Sequence, residues 1–350
     1  MSPQQNIIYV TRDIERAMGI VPSDDHIIVA NRTPYAESMK KQYGQNVYLI
    51  DPDTSGILDT AELFGRETVR QLINRNKADI LVFKNTSRIE NICKSNDWKL
   101  LNPSAELAEK IENKITQVEW LGELATEYLP PFTVGPTKDM KWAGVPSVIQ
   151  WAHGHTGDGT IPVNSAAELS AIQKQFPERP ARITAFEIGR IEKITQDVGK
   201  KMQESGWRGL FGIDVMRDDE RGAIYLIEIN ARQPASTSFE SLLQAEYRRQ
   251  GIQGLTTFEA HLNSLRGETV TGSIIPINDG AQIIQRVTQT TKSIPEDTAR
   301  SIELSGYKVI PYENTEYGSD LLRIQSMMNI MERHGKLNKR GKEIIDLISN

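Results

Sequence analysis

Short apolar runs separated by polar stretches mark the first hundred residues. The runs are short, rich in branched side chains and bounded by turn residues, so they predict β-strands at 7–10 (IIYV), 26–30 (HIIVA), 47–50 (VYLI), 79–83 (DILVF) and 99–101 (KLL). The intervening stretch 60–76 places apolar residues at helical spacing. Repeated strand–helix units predict a parallel sheet covered on both faces. No G-x-G-x-x-G follows the first run, which argues against a nicotinamide or flavin dinucleotide.

From residue 104 onward the pattern mixes helices with short strands. The predicted elements are, in chain order, a helical stretch 104–133 starting at Ser104, strands 146–151 and 161–163, helix 166–176 behind a Ser165–Glu168 capping box, strand 182–188, a helix from 191 that stops at Gly206, a hairpin of LFGIDVM and AIYLIEIN, and a terminal helix near 321–349.

The second strand of the hairpin changes from apolar to polar residues along its length. In IYLIEINARQPAS (224–236), Glu228, Asn230 and Arg232 occupy alternate positions after an apolar start. A three-residue loop at 220–222, with Gly222 left-handed, would pair Asp219 with Ala223 and, counting back, Asp214 with Glu228. Ile224 and Leu226 would then share the face of Glu228, so that this face changes from apolar to polar partway along.

Two facing carboxylates and an amide oxygen make a hard, oxygen-only ligand set. Like charges directly opposite destabilise a sheet unless a cation lies between them, and such a set suits Mg²⁺ bound together with phosphates. Arg232, next on the same face, could hold a phosphate or a carboxylate. The alternative is a solvent-facing strand with incidental charges. A register slip of one residue would put Asp214 on the opposite face from Glu228.

Composition narrows the class of protein. The 350 residues carry a net charge of −5, which favours neither nucleic acid nor an anionic membrane as a partner. The single cysteine, Cys93, rules out an internal disulfide framework, and we expect a packed thiol in a reducing compartment rather than a nucleophile. The N-terminal residues have no basic, apolar leader pattern, and no apolar run reaches the length of a membrane span. We therefore expect a cytoplasmic protein.

The segment GLFGIDVMRDDERGAIYLIEINARQPAS resembles the C-terminal signature of the ATP-grasp superfamily, in which an acidic residue on one strand and E-x-N-x-R on the next bind Mg·ATP. The resemblance implies an α/β and α+β fold: a Rossmann-like parallel-sheet domain at 1–103, then an ATP-grasp fold of two α+β lobes at 104–190 and 191–350. It also implies that Asp214, Glu228 and Asn230 are magnesium ligands (manganese being the alternative ion). Arg232 would hold phosphate or the acyl group.

Two further segments resemble the family. SAELAEKIENKITQVEWL would bring Lys114 near the nucleotide phosphates, although from the sequence alone a surface lysine is the better interpretation. VIQWAHGHTGDGTIPV resembles the hairpin whose glycine loop closes over the phosphates. Its backbone N–H groups and hydroxyls would approach an anion, although a plain hairpin is the more common explanation. The residues concerned are Gly154, Thr156, Gly157, Gly159 and Thr160.

The chain departs from the family pattern in two places. Many members have a second lysine on the strand entering the glycine loop, and here the matching residue is Gln150, so phosphate neutralisation would rest on Lys114, Arg232 and Mg²⁺. PARITAFEIG resembles the strand before the adenine pocket, where the backbone of Glu187 and Ile188 would contact adenine. The several tens of residues that usually follow are missing.

The resemblance implies an ATP-dependent carboxylate–amine ligase that forms an acylphosphate. A catalytically impaired nucleotide-binding protein and, less favoured, a biotin-carboxylase-like enzyme are the alternatives. Partners would be a small-molecule carboxylate and an amine, with a homodimer as one assembly to consider. Arg286 and Arg323 are candidates for the acid site only because they are cationic; solvated arginines are the simpler interpretation. We expect Glu228→Gln to lose Mg·ATP binding while the fold keeps its stability or gains slightly.

Overall fold

The computed structural model describes residues 6–52, 56–130, 132–142, 144, 147–152, 160–184, 191–218, 223–333 and 336–349. Its internal contacts divide the chain into two compact units. Unit 1 comprises Met1–Phe83, Arg88–Leu101 and Ala235–Asn350, and unit 2 comprises Lys84–Ser87 and Asn102–Pro234. The three-domain division with boundaries at 103 and 190 stays a prediction.

The strands of the described residues are, in chain order, β1 (Ile7–Val10), β2 (His26–Asn31), β3 (Val47–Ile50), β4 (Asp79–Val82), β5 (Phe132–Pro136), β6 (Ser147–Trp151), β7 (Thr160–Val163), β8 (Pro180–Thr184), β9 (Gly212–Asp218), β10 (Ala223–Asn230), β11 (Ala281–Arg286), β12 (Lys308–Pro311), β13 (Asp320–Ser326), β14 (Met331–Arg333) and β15 (Lys336–Leu337). The α-helices are α1 (Pro34–Tyr43), α2 (Thr60–Phe64), α3 (Glu67–Asn76), α4 (Ser87–Ser95), α5 (Ala105–Glu112), α6 (Thr116–Leu121), α7 (Glu123–Tyr128), α8 (Ala166–Gln175), α9 (Ile191–Glu204), α10 (Thr237–Arg249), α11 (Thr257–Leu265), α12 (Glu296–Leu304) and α13 (Lys339–Ser349).

Unit 1 begins with the predicted parallel sheet. Its strands lie in the order β3-β2-β1-β4, and every neighbouring pair is parallel. Successive side chains of β1 pack in different apolar clusters. Ile7 and Tyr9 belong to one cluster, and Ile8 and Val10 belong to another. The sheet is therefore buried on both faces, which explains why its strands are continuous apolar runs rather than alternating ones.

Two predictions in this region need correction. The run 99–101 is not a strand, because it contributes only one bridge, between Leu100 and Ile80. The predicted helix 60–76 is two helices, α2 and α3. The N–H of Gly65 turns back to the carbonyl of Glu62, and Arg66 is extended (φ −77°, ψ 128°), so the second helix starts anew. Helical spacing of apolar residues persists across this break, so spacing alone could not locate it.

The C-terminal part of unit 1 contains an antiparallel sheet in the order β11-β13-β12. The predicted terminal helix near 321–349 is wrong over its first part, because β13 occupies 320–326 and only α13 is helical. Residues 321–326 are all buried. In β13 the apolar Leu322 and Ile324 alternate with the polar Arg323 and Gln325, so the sequence carries a strand-like alternation here that the helix prediction overlooked.

Unit 2 contains an antiparallel sheet in the order β5-β8-β6-β7 and the hairpin β9–β10. Ile149 and Trp151 of β6 pack with Ala181 of β8 and with Leu169 of α8. The hairpin packs instead against α5, α6, α7 and α9, which form a separate apolar cluster. The predicted start at Ser104 is confirmed, because its Oγ accepts a hydrogen bond from the N–H of Leu107 (3.3 Å).

The predicted helix stop at Gly206 also agrees with the structure. Gly206 lies just beyond Glu204, the last residue of α9. Its φ of +83° is a backbone conformation that residues other than glycine adopt only with strain. Membrane-spanning helices are not found in the described part of the chain: none of its helices combines the length and apolarity that a bilayer crossing needs.

Candidate functional site

The predicted pairing of Asp214 with Glu228 is confirmed. The pairing on β9 begins one residue farther from the turn than expected, because Asp218, not Asp219, faces Ala223. The register then shifts between Leu226 and Glu228, where β10 carries an extra residue, Ile227. This displacement on β9 and the extra residue on β10 compensate, so Asp214 and Glu228 are direct cross-strand partners.

The extra residue also changes which side chains share a face. Leu226 and Ile229 both pack in the helical core of unit 2, and Ile213, the partner of Ile229, packs against the same core. Glu228 alternates with Ile229 and therefore lies on the other face, together with Asp214. The expectation that Leu226 shares the face of Glu228 is wrong, because a bulge reverses the alternation on one side of it.

Asn230 lies one pleat beyond Glu228 on the same face, opposite Gly212. A Cβ placed on Gly212 would lie 3.5 Å from the Cβ of Asn230, so the glycine leaves ordinary contact room beside the amide. Asp214 is exposed, whereas the Glu228 side chain is 22% exposed. The hairpin thus presents two carboxylates and one amide to the same side, as the sequence predicted.

Lys114 lies beside Glu228 and is not a surface lysine. It occupies the turn between α5 and α6 and is 3% exposed. The Oδ1 atom of Asn113 accepts the N–H of Ile115 (3.0 Å) and shapes this turn, while the N–H of Lys114 donates to the carbonyl of Ala152 (3.0 Å). The Nζ atom of Lys114 is 3.4 Å from Oε2 of Glu228. The interpretation of a solvated surface residue is therefore wrong.

Gln150 is buried in a polar contact that the sequence did not reveal. It lies on β6 directly opposite Arg182 of β8, on the face that points away from Ile149 and Trp151. Nε and Nη2 of Arg182 donate to Oε1 of Gln150 (3.2 and 2.6 Å), and Nη2 also donates to the carbonyl of Ile227 (2.8 Å). Arg182 thus connects the sheet to the bulge of the hairpin.

Arg182 is almost completely inaccessible, with 1% of its surface exposed. Burial lowers the pKa of its guanidinium to about 10, and the negative charge of Glu228 partly offsets this. The side chain therefore remains charged at neutral pH. The sequence offered no signal for it, because the partners of Arg182 are 32 and 45 residues away along the chain.

Arg232 forms an ion pair with Glu112, another residue that sequence reasoning missed. Nη1 of Arg232 donates to Oε1 of Glu112, and Nζ of Lys84 donates to Oε2 of the same carboxylate (2.5 Å). The Glu112 side chain is 9% exposed and lies at the C-terminal end of α5. The carboxylate therefore fixes the guanidinium of Arg232 rather than leaving it free in solvent.

Several predicted nucleotide-binding residues cannot be placed. Thr160 begins β7 opposite Gln150, which fixes its backbone only. The others lie outside the described residues and stay predictions: Gly154, Thr156, Gly157, Gly159, Glu187 and Ile188.

The two arginines considered for an acid site belong to unit 1. Arg323 is 4% exposed and pairs with Glu15 (3.1 Å) and Asp320 (2.6 Å), so the interpretation of a solvated side chain is wrong for this residue. Arg286 is 41% exposed and pairs with Asp320 (3.1 Å). Both guanidinium groups therefore take part in ion pairs within the unit.

The oxygen ligands on the hairpin fit a hard divalent cation. Within the described ranges, no group of three or more His, Cys, Asp or Glu side chains is arranged to hold a metal ion. Asp214, Glu228 and Asn230 form an incomplete set of two carboxylates and one amide. Incomplete sets of this kind suit Mg²⁺, which keeps water molecules and substrate phosphate oxygens among its ligands.

Solved structures share this architecture over nearly the whole chain. N5-carboxyaminoimidazole synthetase from Staphylococcus aureus, complexed with ADP, gives a TM-score of 0.61 at 12% identity and covers 98% of this chain and 97% of its own. The Aspergillus clavatus enzyme, in complex with ADP and 5-aminoimidazole ribonucleotide, gives 0.61 at 15% identity, with coverages of 99% and 98%. The biotin carboxylase domain of Hydrogenobacter thermophilus 2-oxoglutarate carboxylase gives 0.58 at 14%, with coverages of 92% and 85%.

The chain has the ATP-grasp fold. No protein-family model matches it, and no curated protein matches it significantly by sequence. At 11–15% identity, the similarity to ATP-grasp enzymes establishes the fold of ATP-dependent enzymes and leaves the substrate open. The predicted Rossmann-like sheet followed by ATP-grasp elements is confirmed.

Proposed function

We propose that this protein is an ATP- and Mg²⁺-dependent ligase that activates a carboxylate as an acylphosphate and joins it to an amine. The observation that carries the proposal is the pairing of Asp214 with Glu228 beside the buried Lys114. Opposed carboxylates favour a divalent cation between them, and a cationic side chain at the same place favours the phosphates that such a cation accompanies.

The metal ligands in this proposal are Asp214, Glu228 and Asn230. Mg²⁺, or Mn²⁺ in its place, would supply neutralisation of the triphosphate charge when bound. The exposed Asp214 is accessible to the ion, and the partly buried Glu228 is held by Lys114. Glu228 would therefore be the better ordered of the two carboxylates.

The remaining nucleotide contacts follow the family resemblance. Lys114 would neutralise phosphate oxygens. The backbone of Glu187 and Ile188 would contact adenine. The glycine hairpin would cover the phosphates with backbone N–H groups and hydroxyls, from Gly154, Thr156, Gly157, Gly159 and Thr160. Gln150 would act through the guanidinium that it holds, because its Oε1 atom already accepts two hydrogen bonds from Arg182.

Arg232 is the proposed catalytic residue. A carboxylate oxygen of the acid attacks the γ-phosphorus and ADP leaves; the amine nitrogen then attacks the acyl carbon, inorganic phosphate leaves, and the amine loses a proton to solvent. Such chemistry needs positioning and charge neutralisation more than a protein nucleophile. Arg232, oriented by Glu112, would hold the acid or the transferred phosphoryl group.

The proposed substrates are a small-molecule carboxylate and a small-molecule amine. The similar solved structures include an enzyme named for N5-carboxyaminoimidazole, which is a carboxylated amine. Another is a complex that contains MgADP and bicarbonate. Bicarbonate therefore belongs among the acids to test, and biotin among the acceptors. A homodimer is also worth testing, because the Hydrogenobacter thermophilus domain is described as a dimer.

The test combines binding with turnover. Calorimetric titration of MgATP measures nucleotide binding, and ADP release is followed over a panel of acids and amines that includes bicarbonate and biotin. The ligase proposal expects ADP release that requires both an acid and an acceptor, and Asp214→Asn should abolish it. MgATP binding without acid-dependent ADP release from any member of the panel would instead support a nucleotide-binding protein without ligase activity.

A further inference from the structure

Arg182 is a buried cation whose environment is unusual. Arginine is rarely buried completely unless a carboxylate compensates its charge. Here the hydrogen-bond partners are two neutral oxygens, Oε1 of Gln150 and the carbonyl of Ile227. Within the described part of the chain, no carboxylate forms an ion pair with Arg182.

The third nitrogen of the guanidinium points to a missing partner. Nη1 of Arg182 is buried and has no hydrogen-bond acceptor among the described residues. An unsatisfied charged donor in a buried position is costly, so such a group requires a partner, and a bound anion is one that also compensates the charge. The nearby negative charge is that of Glu228, which acts on Arg182 electrostatically and belongs to the proposed metal site.

We infer that Arg182 supplies the second cation of the phosphate site, with Nη1 donating to a nucleotide phosphate oxygen. This inference rests on the proposed function. The strand that enters the glycine loop carries the neutral Gln150, and the positive charge comes instead from the neighbouring strand, directly opposite. The chain thus keeps two buried cations, Lys114 and Arg182, beside Glu228.

Gln150 is a positioning residue in this arrangement. Its Oε1 atom accepts from both Nε and Nη2, which fixes the plane of the guanidinium, while the Ile227 carbonyl holds Nη2 from the other side. A guanidinium fixed in this way loses little side-chain entropy when it binds a phosphate. The bulge that brings Asp214 opposite Glu228 also provides the carbonyl that holds Arg182.

The competing role for Arg182 is purely structural, as a connection between β8 and β10. Arg182→Gln separates the two roles, because glutamine retains an N–H donor but removes the charge and Nη1. Lys174→Met is the matched control, since it removes one exposed positive charge from the same unit. The readouts are the dissociation constant of MgADP, by calorimetric titration of the full chain, and the thermal midpoint without nucleotide.

We expect Arg182→Gln to weaken MgADP binding roughly 10- to 100-fold, the loss of one charge-assisted contact, while Lys174→Met leaves it unchanged. The double variant Gln150→Lys with Arg182→Gln returns the cation to the opposite strand and should recover most of the affinity. Arg182→Lys, which keeps the charge but loses the guanidinium that Gln150 holds, serves if Arg182→Gln does not fold, and should bind MgADP more weakly than the original chain but more tightly than a variant without the charge.

The outcomes separate this inference from the proposed function. If the original chain binds MgADP and Arg182→Gln binds it equally well, with only the thermal midpoint lowered, Arg182 is structural and the inference fails alone. The same conclusion follows if the double variant recovers no affinity, or if Arg182→Lys binds as weakly as a variant without the charge. If the original chain binds no MgADP, both proposals fail together.

Discussion

Nζ of Lys114 lies 3.4 Å from Oε2 of Glu228, and this carboxylate compensates a cation that is only 3% exposed. Its cross-strand partner Asp214 is exposed, so water screens the repulsion between the two acids. The attraction between Glu228 and the buried lysine therefore outweighs the repulsion from Asp214. This balance reverses the stability expectation that the sequence suggests for the removal of Glu228.

Glu228→Gln should both abolish MgATP binding and destabilise the fold. The substitution removes a metal ligand and leaves the ammonium group of Lys114 buried without its carboxylate, which costs about 1–3 kcal/mol. Calorimetric titration measures the first effect, and urea unfolding of the nucleotide-free chain measures the second.

Asp214→Asn is the control for Glu228→Gln. It removes the facing carboxylate from an exposed position, so the free energy of unfolding should change by less than about 0.5 kcal/mol while MgATP binding is again lost. Equal stability of the two variants would contradict the assignment of Glu228 as the partner of Lys114. Normal MgATP binding by both would contradict the metal site.

The facing carboxylates could be predicted from the sequence, although part of the reasoning was wrong. The turn count gave the correct partner for Glu228 because two departures cancel: Ala223 pairs with Asp218 instead of Asp219, and Ile227 is extra. A bulge shifts the phase of the alternation, and the change from apolar Leu226 to charged Glu228 on the counted face is the mark that it left in the sequence. The faces of Ile224 and Leu226 were therefore misassigned while the pairing was correct.

The parts of the site that the sequence did not reveal depend on long-range contacts. The contacts of Arg182 depend on its strand pairing with Gln150 and on the carbonyl of Ile227. Glu112 is an ordinary acidic residue on a helix until Arg232, 120 residues later, lies against it. The local sequence pattern indicates secondary-structure propensity and which side chains share a face of an element. Contact partners of this kind are instead fixed by the packing of distant segments.

The buried pair Arg323–Glu15 in unit 1 should be essential for stability. Both side chains are about 5% exposed or less, and burial raises the pKa of Glu15 while Arg16 and Arg323 lower it. Arg323→Met leaves the buried carboxylate of Glu15 with only the longer ion pair to Arg16 (3.5 Å) and should reduce the free energy of unfolding by about 3–5 kcal/mol at pH 7. Urea unfolding measures this reduction.

The loss in Arg323→Met should shrink in acid. Without Arg323 the folded-state pKa of Glu15 rises further, so the native state holds a proton that the unfolded state releases, and stability increases as the pH falls from 7 towards 5. Adding Glu15→Gln removes the carboxylate that has lost Arg323 and should recover part of the loss at pH 7. A double variant no more stable than Arg323→Met would show that the cost comes from packing.

His261 should make unit 1 sensitive to acid. It is buried on α11 against the ring of Phe258, and burial lowers its pKa to about 4, from an ordinary value of 6.5. Between these two values the unfolded state binds a proton that the native state does not, so stability falls as the pH decreases through this window, by about 3 kcal/mol in total. Above pH 6.5 the histidine has no such effect.

His261→Gln tests this contribution. Its free energy of unfolding should fall less steeply than that of the original chain between pH 6.5 and 4.5, by as much as ~1.4 kcal/mol per pH unit. At pH 8 the imidazole of His261 is neutral in both the native and the unfolded state. The difference in free energy of unfolding between the two chains at this pH therefore measures any packing defect of the substitution. Parallel curves over the acid range would mean that His261 does not titrate abnormally.

Cys93 should be chemically inert in the native protein. It is 2% exposed in the apolar cluster that includes Ile89 of the same helix, and burial raises the pKa of its thiol to about 11, with Glu90 adding to the shift. The thiolate is the reactive form, so a disulfide reagent at pH 7.5 should react only when unit 1 opens, and immediately in denaturing urea. Because the chain has one cysteine, the reaction is unambiguous. Rapid stoichiometric labelling of the native chain would instead favour a reactive thiol.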